Sequence, residues 1–209
     1  MRSSDKLDAK IVNHYKSGKY WQNRMDLMYC SYLDYIVRTL GRDAGSLIDI
    51  GTAQCPYLEW FDWIPNRTSF DMVQPYQSKT VTGIQGDFLD HDFGSASYDI
   101  VTCLQVLEHI PEPVEFSRKL LSLGKTIIVS VPYNWPKSAA DDHIHDPIDY
   151  EKLTQWMGRE ANYHIVVQEP FRGKVGKRLI AIYDEDQSAG YGRKQFKKRI
   201  RRNRFVIGG

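Results

Sequence analysis

The sequence predicts an α/β protein: a mostly parallel sheet with an antiparallel edge strand and helices on both faces. Three observations carry that prediction. Short apolar runs alternate with segments of helical periodicity. One run, Lys125–Pro132 (KTIIVSVP), is unbroken and rich in β-branched residues, as expected of a strand covered on both faces. Two late strands, YHIVVQEPF and KRLIAIYDE, are separated by the turn-like RGKVGK and so pair as a hairpin.

The elements follow in order. From Tyr20 to Leu40, apolar residues at Trp21, Met25, Met28, Tyr29, Tyr32, Leu33, Ile36 and Leu40 step by threes and fours, predicting one amphipathic helix closed by Gly41. SLIDI is the first strand. Pro56 opens a helix, PYLEWFDWI, that Pro65 stops. TSFDMV, VTGIQGDF and YDIVTCLQ are strands two to four. Pro113 opens a helix with Phe116, Leu120 and Leu123 on one face, and Gly124 ends it. After strand five and a polar loop, Pro147 or Asp149 starts a helix that turns Tyr150, Leu153, Trp156 and Met157 inward.

The chain of 209 residues can bury a substantial core. It contains no apolar run of the roughly 18 residues that a membrane span needs, and its N-terminus has no signal-peptide core. Cys30, Cys55 and Cys103 are widely spaced in or beside apolar segments. They read as buried thiols of a reducing compartment, so the expected address is the cytoplasm. The net charge of +2 is unevenly placed: RKQFKKRIRRNRF, residues 193–205, holds eight Lys/Arg and no acid, and removing those eight from +2 leaves −6 on residues 1–192. The expected organisation is an N-terminal helical segment (1–45), a main domain (46–186) and a basic tail (187–209).

Open α/β sheets bind ligands at the carboxyl ends of their strands. Strand one ends in Asp49-Ile50-Gly51, where the glycine lets backbone approach a ligand and the acid can accept bonds from an ammonium group. Strand two ends at Asp71, placed to accept ribose hydroxyls. Strand three ends at Gly86-Asp87-Phe88, an acid for an exocyclic amine and an aromatic for a purine face. Strand four ends at Gln105, followed by VLEHIPEP. An Asp after a strand is ordinarily a turn residue, and Phe88 alone reads as core. Four ends in this order and spacing point to a nucleotide-like cofactor.

The motifs LIDIGTAQCPYLEWF, FDMV, GDFLDHDFGSASYDIVTCLQVLEHIPEP and TIIVSVP resemble, in succession, those of class I S-adenosylmethionine-dependent methyltransferases. The resemblance spans about residues 20 to 185 and implies a Rossmann-like seven-stranded sheet with S-adenosylmethionine over its carboxyl edge. Carried over, Asp49, Gly51 and Thr52 form the methionine-side loop, and Asp71 with Met72 takes the ribose. Asp87 and Phe88 flank the adenine, and Gln105 closes the floor. One departure stands out: the family's loop commonly has three alternating glycines, and here Ala53 and Cys55 replace the last two. A dinucleotide-binding fold is the competing reading, but it needs its second glycine for close approach to a pyrophosphate. S-adenosylmethionine has no phosphate and tolerates the loss better.

Methyl transfer requires the acceptor to be placed in line and, for a hydroxyl, relieved of its proton. The loops after strands four and five offer His109, His143 and His145. His143 and His145, in the polar DDHIHD, are the candidate bases; the competing reading makes one of them a helix cap or backbone partner, and His109 reads as a structural hydrogen-bonder. DDHIHD also has the donor types of a divalent-ion site. Strand five leads, however, into Pro132-Tyr133-Asn134-Trp135, unlike the Asp-Asn pair of the metal-dependent branch, so no metal ligands are expected. Tyr15, Tyr20, Trp21, Tyr133 and Trp135 are candidates for the acceptor wall or, equally, for aromatic packing of the N-terminal helix. The expected activity is methylation of a small-molecule or glycan acceptor, at oxygen. The rival is a non-catalytic binding module whose tail holds nucleic acid or an anionic membrane surface.

Overall fold

A computed structural model describes residues 18–137 and 139–192. The basic run 193–205 lies outside the described residues, as do Tyr15 and the side chain of Tyr20. Seven strands form one sheet in the order β3-β2-β1-β4-β5-β7-β6. They are β1 (Ser46–Ile50), β2 (Asn66–Asp71), β3 (Val81–Gln85), β4 (Tyr98–Leu104), β5 (Gly124–Pro132), β6 (Tyr163–Gln168) and β7 (Lys177–Asp184). The first five run parallel. β7 is antiparallel to both β5 and β6, so the reversed strand sits one place in from the edge, with β6 outermost. Strand order reverses direction between β1 and β4, the place where open sheets of this kind hold ligands.

Side chains alternate across the pleat, and two cores result. Ile48, Ile50, Phe70, Val101, Cys103 and Val129 face one layer, with helices α3 (Pro113–Ser122) and α4 (Tyr150–Met157) supplying Phe116, Leu120, Leu153 and Trp156. Leu47, Ile100, Ile128, Ile180 and Ile182 face the other, against α2 (Met28–Leu40) and the aromatic stretch after β1. Fully buried side chains such as Leu58, Phe61 and Ile64 each contribute about 1.5–3 kcal/mol. Among the described residues no helix is long and apolar enough to cross a membrane.

Two expected helices differ. The single helix from Tyr20 to Leu40 is broken into α1 (Gly18–Met25) and α2. Leu27 is extended at φ −67°, ψ 143°, and the buried carboxylate of Glu169 accepts the N–H groups of Met28 and Tyr29 at 3.0 and 2.9 Å. A distant acid therefore begins a new helix in the middle of an uninterrupted apolar pattern. The segment after β1 is a 3-10 helix, Pro56–Phe61, rather than a longer α-helix. Tyr57, Leu58 and Phe61 are all buried there, so most of the turn faces inward. At α4, Asp149 caps, its carboxylate accepting Lys152 N–H, and Gly158 ends the helix at φ +71°.

Candidate cofactor and acceptor site

The α2 side of the carboxyl edge holds a cavity of about 320 Å³, at the lower end of small-ligand sites. Its floor is the stretch Gly51–Ala53 with Asp49. Gly51 has φ +83°, and a Cβ there would meet Val106 Cγ2 at 2.5 Å, so no other residue fits without moving that side chain. The missing glycines have different fates. Ala53 and Gln54 hold left-handed backbone, φ +46° and +61°, a conformation that costs an ordinary residue about 1–2 kcal/mol. Cys55 is extended at φ −68° and buried in the core on this face. Hydrogen bonds hold the strained turn: Ala53 N–H donates to Asp71 Oδ2 at 2.8 Å, Trp21 Nε1 to Ala53 O at 3.0 Å, and Gln54 N–H to Gln74 O at 2.9 Å.

Asp49 is 2% exposed and lines the cavity. Its register partners in β2 and β4 are Ser69 and Thr102. Tyr57 Oη and Thr102 Oγ1 donate to its Oδ1 at 2.6 and 2.7 Å. Burial outweighs those bonds and pushes its carboxyl up to about 6. A carboxylate held this way suits a cationic ligand group. Thr52 is buried beside it, its hydroxyl bonding Asp49 O and accepting from Ser69 Oγ at 2.9 Å. Gln105, at φ +58°, donates through Nε2 to Ser130 Oγ at 3.2 Å, and Ser130 is 2.5 Å from Tyr29 Oη. These links fix the end of β4 to β5 and α2.

The other end of the cavity is polar. Glu108, in the short 3-10 turn Leu107–His109, is buried with neither carboxylate oxygen hydrogen-bonded, and burial holds its carboxyl well above the usual range. His109 Nδ1 bonds Asp142 O at 3.0 Å, and burial lowers the imidazole below its ordinary value. His143 Nδ1 lies 2.7 Å from Asp146 Oδ2. The His143 ring stacks on Trp135, centroids 5.6 Å apart, and meets His109 edge-on at 4.9 Å.

Of the residues expected from sequence, Asp49, Gly51, Thr52, Gln105 and His143 line this cavity, with Trp21, His109 and Trp135. Others stand elsewhere. Asp71 spends its carboxylate on three backbone N–H groups, Ala53 on Oδ2 and Val73 and Gln74 on Oδ1, all at 2.8 Å. Of roughly four lone-pair sites, one remains for a further donor. Met72 is 59% exposed, and Asp87 caps its own turn by accepting Leu89 N–H. Phe88 does not cover a purine face. It is 5% exposed in the opposite core, 4.4 Å from the Phe116 ring and 6.1 Å from that of Phe70. His145 is not placed as a base: its Nε2 is spent on Ile110 O at 2.7 Å and its ring packs on Trp156, outside the cavity. Tyr133 packs against the core rather than the cavity.

Sequence reasoning missed several contributors. Arg178 lines the cavity while 2% exposed, its guanidinium over the rings of Tyr29 and Trp135 at 5.3 and 5.4 Å. The signal for it was a charge inside a strand otherwise read as core. Asp146 and Tyr57, which orient His143 and Asp49, had no signal in their own spacing.

The family model described as "Methyltransferase domain" matches residues 51–125. No curated protein matches. Among solved structures, the chain is similar to the N-methyltransferase NodS of Bradyrhizobium japonicum WM9 in complex with S-adenosyl-L-homocysteine. The identity is 11%, covering 84% of this chain and 96% of that one, with a TM-score of 0.62. It is also similar to the plantazolicin methyltransferase BpumL in complex with a monoazolic desmethylPZN analog and S-adenosylhomocysteine (14% identity, 87% and 91% covered, TM-score 0.59). A third is the small RNA methyltransferase HEN1 (22% identity, 78% and 26% covered, TM-score 0.52). Residues 51–125 match a methyltransferase domain model, and the chain has the fold of class I S-adenosylmethionine-dependent methyltransferases. S-adenosylmethionine is the methyl donor of that class.

Proposed function

We propose that the protein transfers a methyl group from S-adenosylmethionine to an oxygen of a small-molecule or glycan acceptor, with His143 as the base. The donor's ammonium meets Asp49, its methionine chain lies along Gly51–Ala53, and the acceptor enters between Trp135 and the His109–His143 pair. One observation carries the reading: the cavity joins a buried carboxylate beside the strained turn to an imidazole oriented by a second buried carboxylate, Asp146. A hydroxyl must lose its proton as the methyl arrives, and an imidazole within reach is suited to take it. Aromatic rings of Trp21, Tyr29, Trp60 and Trp135 wall the cavity, which favours a planar or sugar-like acceptor group. The test has two stages. Calorimetry with S-adenosylhomocysteine should show stoichiometric binding; labelled S-adenosylmethionine with sugar and phenolic acceptor panels should then label an oxygen. Absent cofactor binding in the folded protein would overturn the reading in favour of a non-catalytic module.

A further inference from the structure

Glu108, His109 and His143 converge at the polar end of the cavity, each offering a ligand atom within 4.8 Å of the others. The Glu108 side chain is 1% exposed, and neither of its oxygens has a hydrogen-bond partner. An unpaired buried carboxylate of this kind calls for a cation or donor that the protein itself does not supply. The two imidazoles are prepared in the same sense. His109 directs Nδ1 to Asp142 O and His143 directs Nδ1 to Asp146 Oδ2, so with those nitrogens donating, each Nε2 carries a free lone pair. His109 Nε2 is 3.9 Å from Glu108 Oε1. Ligand atoms held about 2.0–2.2 Å from one ion stand roughly 3–3.5 Å apart, so side-chain rotation of about 1 Å completes the set.

We propose that Glu108, His109 and His143 bind one divalent transition-metal ion, with Asp142 O and Asp146 fixing the imidazoles from outside. Two imidazoles and a carboxylate favour ions of borderline hardness, such as Zn²⁺, Co²⁺ or Ni²⁺, over Mg²⁺ or Ca²⁺. Three ligands leave a position open toward the cavity, where an acceptor hydroxyl would sit. Only His143 comes from DDHIHD; the other two ligands come from the Leu-Glu-His turn after β4. The ion site stands independently of the methyltransferase reading, and only its role rests on it. With the ion bound, His143 is a ligand in place of the base it would be without metal, and the ion would instead lower the acceptor hydroxyl's pKa. The proton then passes to water, the O–CH₃ bond forms, and the S–CH₃ bond breaks to leave a neutral thioether.

Titrating the full-length protein with Co²⁺, followed by visible absorption and calorimetry, tests this. One equivalent should bind, displaceable by Zn²⁺. Glu108→Gln and His109→Ala should each weaken binding at least 10-fold, and Asp146→Asn about 10–100-fold by releasing His143. Thermal melts establish that the variants fold. If Glu108→Gln does not, His109→Ala decides the matter, because that ring is 30% exposed. No stoichiometric Co²⁺ binding, or unchanged affinity in folded His109→Ala, overturns the site. S-adenosylhomocysteine binding measured in EDTA on the same wild-type protein separates the two readings. Cofactor binding without Co²⁺ binding loses the metal alone, and Co²⁺ binding without cofactor binding loses the methyltransferase reading alone.

Discussion

His143 Nδ1 and Asp146 Oδ2 lie 2.7 Å apart, on side chains that are 8% and 1% exposed. Two loop residues separate them, and α4, capped by Asp149, begins just beyond at Tyr150. A buried carboxylate beside an imidazole fixes its tautomer and leaves Nε2 free for chemistry.

If that nitrogen takes the acceptor's proton, His143→Ala should lower turnover by roughly 10²–10⁴. S-adenosylhomocysteine affinity should hold, since the Asp49–Ala53 end of the cavity is untouched. Asp146→Ala should lower turnover in the same direction. Single-turnover rates on the identified acceptor measure both. Near-native rates in the two variants would shift the acceptor from oxygen to an amine, which needs no dedicated base.

Asp49 gives a pH prediction with a definite sign. Burial raises its folded pKa to about 6, above an unfolded value near 3.9. The folded state therefore binds more protons in that window. The contribution to stability is fully present below about pH 4 and lost as pH rises through about 6, a change on the order of 2–3 kcal/mol. Asp49→Asn should flatten that slope and make the ligand-free protein more stable at pH 8. The cofactor should behave oppositely: an ammonium beside Asp49 favours the ionised form, so affinity should rise with pH through about 6. Denaturation at pH 5 and 8, with calorimetry at both, checks the pair of signs; an affinity flat across that range would detach Asp49 from the cofactor.

Much of the architecture was legible because strands and their ends are local. The unbroken run in β5, the alternation that puts Asp49 on one face and Ile50 on the other, and a helix start at Pro147 or Asp149, of which Asp149 is the cap, each follow from neighbouring residues. What was not legible depends on partners far along the chain. Glu169 breaks the first helix from 140 residues away, and nothing near Met28 announces it. Phe88 and Asp87 are adjacent in the turn just past β3, and that turn drops Phe88 into the core opposite the cavity. Equal loop histidines separate only because one meets Asp146 and the other Ile110 O.

The turn after β1 stores strain that can be released at a neutral position. Gln54 is exposed with φ +61°. Gln54→Gly removes a left-handed penalty of about 1–2 kcal/mol and adds backbone entropy worth roughly 0.5–1 kcal/mol to the unfolded state. The expected net is a gain of about 0.5–1 kcal/mol, or about 1–4 °C in Tm for a chain of this size. A loss of stability on calorimetry would mean that the side chain, rather than the backbone, sets this turn.

Glu169 is the last test, because it ties the α2 wall of the cavity to the sheet. Its carboxylate is 3% exposed, accepts the first two N–H groups of α2, and lies 3.8 Å from Arg178 Nη1. Glu169→Ala removes a helix cap, worth about 1 kcal/mol, and strands a buried guanidinium, which alone costs about 3–5 kcal/mol when the partner is deleted. We expect a loss of roughly 3–5 kcal/mol in denaturant unfolding. Glu169→Gln, which keeps one acceptor oxygen but not the charge, should fall between. Tyr29 and Leu33 of α2 line the cavity, so the folded fraction of Glu169→Gln should also show a raised KM for the acceptor. A Glu169→Ala protein within about 0.5 kcal/mol of the native stability would show that α2 is seated by its apolar face alone, through Tyr29, Leu33, Ile36 and Val37.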